Sequence, residues 1–228
     1  MYYEARGPAS RPTVICSAVS NDQINWRLEE GIRLEAIGKL GAPRACVSPV
    51  GRVRLVVFRK DDLGTAIVSA TSDDGLSFTF DPVALIRDGT DELDAIGITA
   101  AELVMGDPPV MVLSGWQDRP EGSAPPPLHP SLDPNAVSAG SSADFATASI
   151  AADMSGYRSR IFIATSDGGI HWTRGPVIVK GDGYGGRDID AVHAEDMSLI
   201  ALEDGRYRMY YAACDAHGAW RVVSAISA

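Results

Sequence analysis

The sequence predicts an all-β fold, a β-propeller. Three observations predict it: a recurring strand-and-turn unit, short apolar runs with no long helical pattern, and glycine and proline spread along the chain. The recurring unit carries most weight. VICSAVSNDQINW (Val14 to Trp26), AIVSATSDDGLSF (Ala66 to Phe78), RIFIATSDGGIHW (Arg160 to Trp172) and RVVSAISA (Arg221 to Ala228) each run a β-branched strand into a small-residue stretch. In the first three, a tight polar turn and an aromatic residue follow at the same offset, which strand propensity alone does not arrange.

A second strand precedes each of these. GRVRLVVFRK (Gly51 to Lys60) and GRYRMYYAAC (Gly205 to Cys214) open on a glycine turn and alternate arginine with apolar side chains, the period of a strand with one wet face. PPVMVLSGW fills the slot before the third copy, and MYYEAR before the first. Leading strands (ACVSPV, TAAELVM, DMSLIAL) and trailing ones (RLEAI, VALI, VIV) complete a four-stranded unit. The strand count is then three, four, four and three, with both end units cut short. Such a ring does not close. Residues 1–228 therefore read as a single propeller domain incomplete at both ends, about three and a half blades of a five-bladed whole, and the exposed blade edges point to homo-oligomer contacts.

The copies stand 52, 94 and 61 residues apart, from Ser20 to Ser72 to Ser166 to Ser227. One Pro/Ser/Ala-rich insertion at 117–159 accounts for the long gap, and it falls between the second and third strands of one blade. Its composition reads as loop, with a lid over a binding face as the alternative.

Bulk properties narrow the partners. A net charge of -10 and a pI near 4.8 oppose binding to a phosphate backbone, so nucleic acid is not expected. No apolar run approaches bilayer length and the first residues do not read as a signal peptide, so the expectation is a cytoplasmic protein with no membrane partner. Cys16, Cys46 and Cys214, odd in number and far apart, read as buried thiols. No histidine or cysteine spacing suggests a metal.

The turns carry a resemblance. Thr71, Asp73, Gly75 and Phe78, and again Thr165, Asp167, Gly169 and Trp172, are similar to the aspartate box of sialidases and related propellers. Ser20 to Trp26 is a worn copy. The resemblance implies structural work: the carboxylate accepts turn amides, the glycine takes the strained position and the aromatic packs between sheets. The fuller pattern, an RMYY strand followed by SAxS, a polar turn and an aromatic, resembles the five-bladed propeller glycoside hydrolases: arabinanases, xylosidases, invertases and fructan-processing enzymes. This implies a carbohydrate ligand and acids converging on a central funnel. Calcium at the hub is implied only by the resemblance, with no motif for it and no other cofactor expected.

A glycosidase sets two carboxyl groups across the scissile bond, about 5–5.5 Å apart for retention and about 6.5–9.5 Å apart for inversion. Two places qualify. From Gly181 to Leu202, a glycine-rich loop leads into Arg187, Asp188, Asp190, His193, Glu195 and Asp196, just before an inner strand. So many charges are costly in a core and useful at the mouth of a funnel. The second is Glu102, the single charge in an apolar inner-strand run. Glu102 and Asp196 are the expected catalytic pair, with Asp188 or Asp190 as helper and Arg44, Arg187, His193 and Glu195 contacting substrate. The unit holding APRACV has no aspartate comparable to Asp196, and Arg44 stands there as a fork for a carboxylate or hydroxyl. A solvated acidic loop is the plain alternative for 181–202. The alternatives for function are a non-catalytic carbohydrate- or protein-binding propeller and a sialidase-like exo-glycosidase.

Overall fold

The computed structural model describes residues 1–6, 12–47, 51–89, 97–104, 108–118, 157–167, 169, 171–181 and 186–228. They form four antiparallel sheets in chain order. The first holds β1 (Tyr2–Ala5), β2 (Val14–Val19) and β3 (Arg27–Leu28). The second holds β4 (Lys39–Val47), β5 (Val53–Asp61), β6 (Gly64–Ser72) and β7 (Thr79–Phe80), with β8 (Ile86–Arg87) pairing farther along β6. The third holds β9 (Gly97–Val104), β10 (Val110–Asp118), β11 (Tyr157–Asp167) and β12 (His171–Val179). The fourth holds β13 (His193–Ala201), β14 (Tyr207–Cys214) and β15 (Trp220–Ile226). Each sheet is a meander of neighbours in sequence, the blade pattern of a propeller.

The expected strand pattern is present, with differences in extent. β4 begins at Lys39, ahead of the expected ACVSPV, and β12 is one long strand where a short VIV was expected. In the second sheet Pro82 interrupts the outer strand, leaving the fragments β7 and β8, because proline has no N–H to give the ladder. Pro176 is accommodated in β12 where the register against β11 shifts. Gln117, Asp118 and residues 157–159, expected within the insertion, are instead paired strand at the ends of β10 and β11; residues 119–156 lie outside the described residues.

Alternation along the middle strands builds the cores. In the second sheet Val56 and Ile67 face the third sheet, where they meet Ile98, Met111, Leu113 and Phe162. Their chain neighbours Leu55, Val57, Ala66 and Val68 face the first sheet, packing with Ile15 and Leu34. The third sheet repeats this: Ala100, Val112 and Ile161 turn the other way, onto Met197, Met209 and Tyr211 of the fourth. A sheet buried on both faces needs the near-continuous apolar runs seen in β6 and β11, and stacking four sheets produces three such cores. Cys214 is buried while Cys16 and Cys46 are half-buried, and all three are free thiols. Burial pushes the Cys214 thiol up to about 12.

The turns keep the expected shape with a different carboxylate. Ser72 Oγ accepts the Gly75 amide at 2.9 Å, and Asp74 Oδ1 accepts the amides of Leu76 and Ser77, both at 2.8 Å. In the first turn Ser20 and Asp22 make the same bonds to Gln23, Ile24 and Asn25. The capping acid is thus Asp74, and Asp73 points outward to Arg52 at 2.6 Å. Asp167 occupies the same place as Asp73, and the third turn has Gly168 where the acid would be. The correction is one residue, because a carboxylate caps the amides two and three positions on only from the second residue after the serine. Gln23, Gly75 and Gly169 hold the left-handed position at φ 61, 73 and 77°. Phe78 and Trp172 pack on the cores as expected, Phe78 edge-on to Tyr2 at 5.5 Å.

Replacing Asp74 with Ala will lower the melting temperature, whereas Asp73→Ala will leave it nearly unchanged. Bonds from the Ser77 and Leu76 amides hold the Asp74 carboxyl down at about 2. Its contribution is therefore present above the unfolded value of about 3.9 and fades as pH falls toward 2. Denaturant unfolding of wild type and Asp74→Ala should converge over that interval and differ by a constant amount above it.

Candidate functional site

The inner strands β4, β9 and β13 share one irregularity. In β13, Glu195 pairs with Ala212 and Ser198 with Tyr210, leaving Asp196 and Met197 opposite a single residue. β4 has the same bulge between Gly41 and Arg44, and β9 has it at Thr99 between Ile98 and Ala100. By register, Ala42, Thr99 and Asp196 occupy the same place in three blades. Ala42 and Asp196 are left-handed, at φ 46 and 51°, a backbone region that non-glycine residues enter at a cost of about 1–3 kcal/mol. Such bulges re-aim side chains, and these aim into a common space.

That space is a cavity of about 510 Å³. Ala42, Thr99 and Asp196 line it, joined by Arg44, Glu195 and Trp116. Glu195 is nearly buried, with Oε2 accepting the Trp116 indole N–H at 3.0 Å, while Asp196 is exposed. Thr99 and Ser114 share a hydroxyl–hydroxyl bond of 2.8 Å. Farther along β4, the lining continues with Lys39, Gly41, Phe58 and Lys60, and with Glu4 and Arg6. A Cβ at Gly41 would lie 2.5 Å from Glu4 Oε2, so a larger residue there would push the Glu4 side chain aside.

Arg44 ties the site together. Its Nε donates to Glu102 Oε2 on β9 at 3.0 Å, its Nη2 to the Met197 carbonyl on β13 at 3.3 Å, and its Nη1 to the Pro43 carbonyl. Burial raises the Glu102 pKa above the usual carboxylate value, and Arg44 opposes that rise. Ionised Glu102 is thus held by Arg44 against a net cost of leaving water.

Of the residues expected from sequence, Arg44, Glu195 and Asp196 meet in the cavity. Glu102 stands outside the lining and reaches it only through Arg44. Asp190 is buried and accepts the Tyr211 hydroxyl at 2.9 Å; burial, then this bond, raises the tyrosine pKa. His193 is fully buried, stacked on Trp220 at 5.1 Å and hydrogen-bonded to Ser159 at 3.1 Å. Asp190 lies ahead of β13 and His193 is its first residue, and neither lines the cavity. Asp188 and Arg187 are exposed on the approach, and residues 182–185 of the glycine-rich loop lie outside the described residues. Glu4, Lys39, Lys60, Phe58 and Trp116 escape sequence reading, because only register brings them to one wall. Among the described residues no group of three or more His, Cys, Asp or Glu side chains is arranged to hold a metal.

The fold is a partial β-propeller, similar to that of solved propeller glycoside hydrolases. Among solved structures, a thermostable family-43 glycoside hydrolase superposes with a TM-score of 0.64 at 16% identity, over 99% of this chain and 64% of its own. The endo-arabinase of Bacteroides thetaiotaomicron gives 0.62 at 12%, over 99% and 69%. A mutant of the family-32 β-fructofuranosidase of Bombyx mori, solved with sucrose, gives 0.62 at 13%, over 99% and 44%. No protein-family model and no curated protein matches the chain by sequence.

Substituting Arg44 by Met leaves the Glu102 carboxylate without its bridge and should cost about 1–3 kcal/mol in denaturant unfolding. Glu102→Gln should cost less, since it also relieves the burial of charge. The double variant should lose less than the sum of the two.

Proposed function

We propose that this protein acts on carbohydrate as a glycoside hydrolase, with the inner-strand cavity as its sugar site. One observation carries the reading. Two adjacent carboxylates, Glu195 and Asp196, enter a cavity of about 510 Å³ beside Arg44, Thr99 and Trp116. This mixture of charged hydrogen-bonding groups and an aromatic side chain suits a ligand with many hydroxyl groups. Asp196, exposed on the bulge, is assigned as the carboxylate that activates water or attacks the anomeric carbon. Glu195, held by the Trp116 indole, is assigned as the acid that protonates the glycosidic oxygen. Arg44 grips a hydroxyl of the sugar while keeping Glu102 ionised behind it.

A second reading, binding without hydrolysis, is favoured by one feature. Glu102, the acid expected to be catalytic, is engaged by Arg44, and the places comparable to Asp196 hold Ala42 and Thr99.

A panel of chromogenic glycosides separates the two. On the hydrolase reading at least one is turned over, and Asp196→Asn lowers kcat by about 100-fold or more while the circular dichroism spectrum is unchanged. Turnover indifferent to Asp196 would remove the assignment. Sugar binding without turnover would leave the binding reading.

A further inference from the structure

We propose that β15 is a pairing edge, where two copies of this chain meet as antiparallel neighbours across a twofold axis at Val223. The fourth sheet runs β13-β14-β15, so among the described residues β15 has a strand on one side only. A bare strand edge is a template for another strand, and proteins blunt such edges by shortness, proline, charge or bulges. The other edges among the described residues are blunted in those ways. β1 has four residues, and β3, β7 and β8 have two each. β4, β9 and β13 carry bulges, and β12 carries Pro176 and a shifted register. β15 has none of these: it runs seven residues in unbroken register with β14, without proline. Its single charge, Arg221, is held by Asp215 at 2.7 Å.

Pairing with β14 fixes which backbone groups face outward. The Asp215 amide donates to the Ala219 carbonyl, and the Ser227 amide to the Tyr207 carbonyl. Antiparallel alternation then turns the odd-numbered residues of β15 toward β14. The N–H and C=O groups of Trp220, Val222, Ser224 and Ile226 therefore point away from it. Val222 is 79% exposed and Ile226 44%, so side chains as well as backbone are open along this edge. With the axis at Val223, Val222 stands opposite the partner's Ser224, and Trp220 opposite the partner's Ile226. Each of these is a pair that exchanges hydrogen bonds. Arg221 then faces Ala225, whereas an axis at Arg221 would set like charges against each other. This match of the edge to itself selects a second copy as the occupant, and one such edge per copy closes the assembly at a dimer. β13, which carries Glu195 and Asp196, is the opposite edge of the sheet, so pairing at β15 does not use the strand that lines the cavity.

The test is sedimentation equilibrium of the full chain and of two edge variants. Val222→Pro removes an N–H that points away from β14, where an edge strand tolerates proline, and Ser224→Lys sets a charge on the exposed edge. The expected result is a concentration-dependent dimer whose Kd rises at least about tenfold in each variant, with the circular dichroism spectrum unchanged. Val223→Cys reports the register. At the axis the two Cα atoms of a non-hydrogen-bonded pair stand about 4.5 Å apart, so mild oxidation should cross-link the new thiols, with the linked peptides mapped by mass spectrometry. Ile226→Cys, about 20 Å from its counterpart, should not cross-link. A chain that stays monomeric up to about 1 mM overturns the proposal. So does a dimer that survives both edge variants, or one that cross-links through Ile226→Cys and not through Val223→Cys.

Discussion

One guanidinium holds the inner strands in place relative to one another. Arg44 arises from β4, forms an ion pair with Glu102 on β9 and donates to the Met197 carbonyl on β13. Sheets that meet only through apolar side chains can slide or fan with little directional penalty, because hydrophobic contact is not oriented. Bonds of fixed geometry from one planar group to two other blades remove that freedom. The arrangement is costly in isolation, since burial raises the Glu102 pKa, and it persists because Arg44 supplies the opposing charge.

The cores around it are built by alternation. β5, β6, β10 and β11 send successive side chains to opposite neighbours, so each internal sheet belongs to two cores at once. A substitution in a middle strand is therefore felt in one inter-sheet layer and spared in the next. The polar turns lie outside these layers and depend on local bonds, such as those of Ser72 and Asp74.

Much of this was legible in the sequence. Repetition of the strand, turn and aromatic gives the blades, their order and the position of the insertion, because those features are local and periodic. The capping acid was displaced by one residue, since Asp73 and Asp74 are adjacent in sequence and only hydrogen-bond geometry tells them apart. The site was half legible. Glu195 and Asp196 stand out as acids at a strand head, and Arg44 as a charge in an apolar strand. His193 and Asp190 share the same acidic stretch yet are buried outside the cavity, a difference that no residue type announces. Lys39, Lys60 and Glu4 are far apart in the chain, and their meeting is a property of pairing register alone.

The repeated bulge has a consequence for how chemistry is distributed around the axis. Three blades present a bulge toward one space, left-handed at Ala42 and Asp196 though not at Thr99, and each mounts a different side chain there. The kink is made by main-chain pairing, so the scaffold is largely indifferent to its occupant. Such mounts behave as interchangeable sockets: a methyl group, a hydroxyl or a carboxylate can be exchanged at each without reworking the layers behind it. Substrate preference and reactivity can then change separately from stability, one socket at a time.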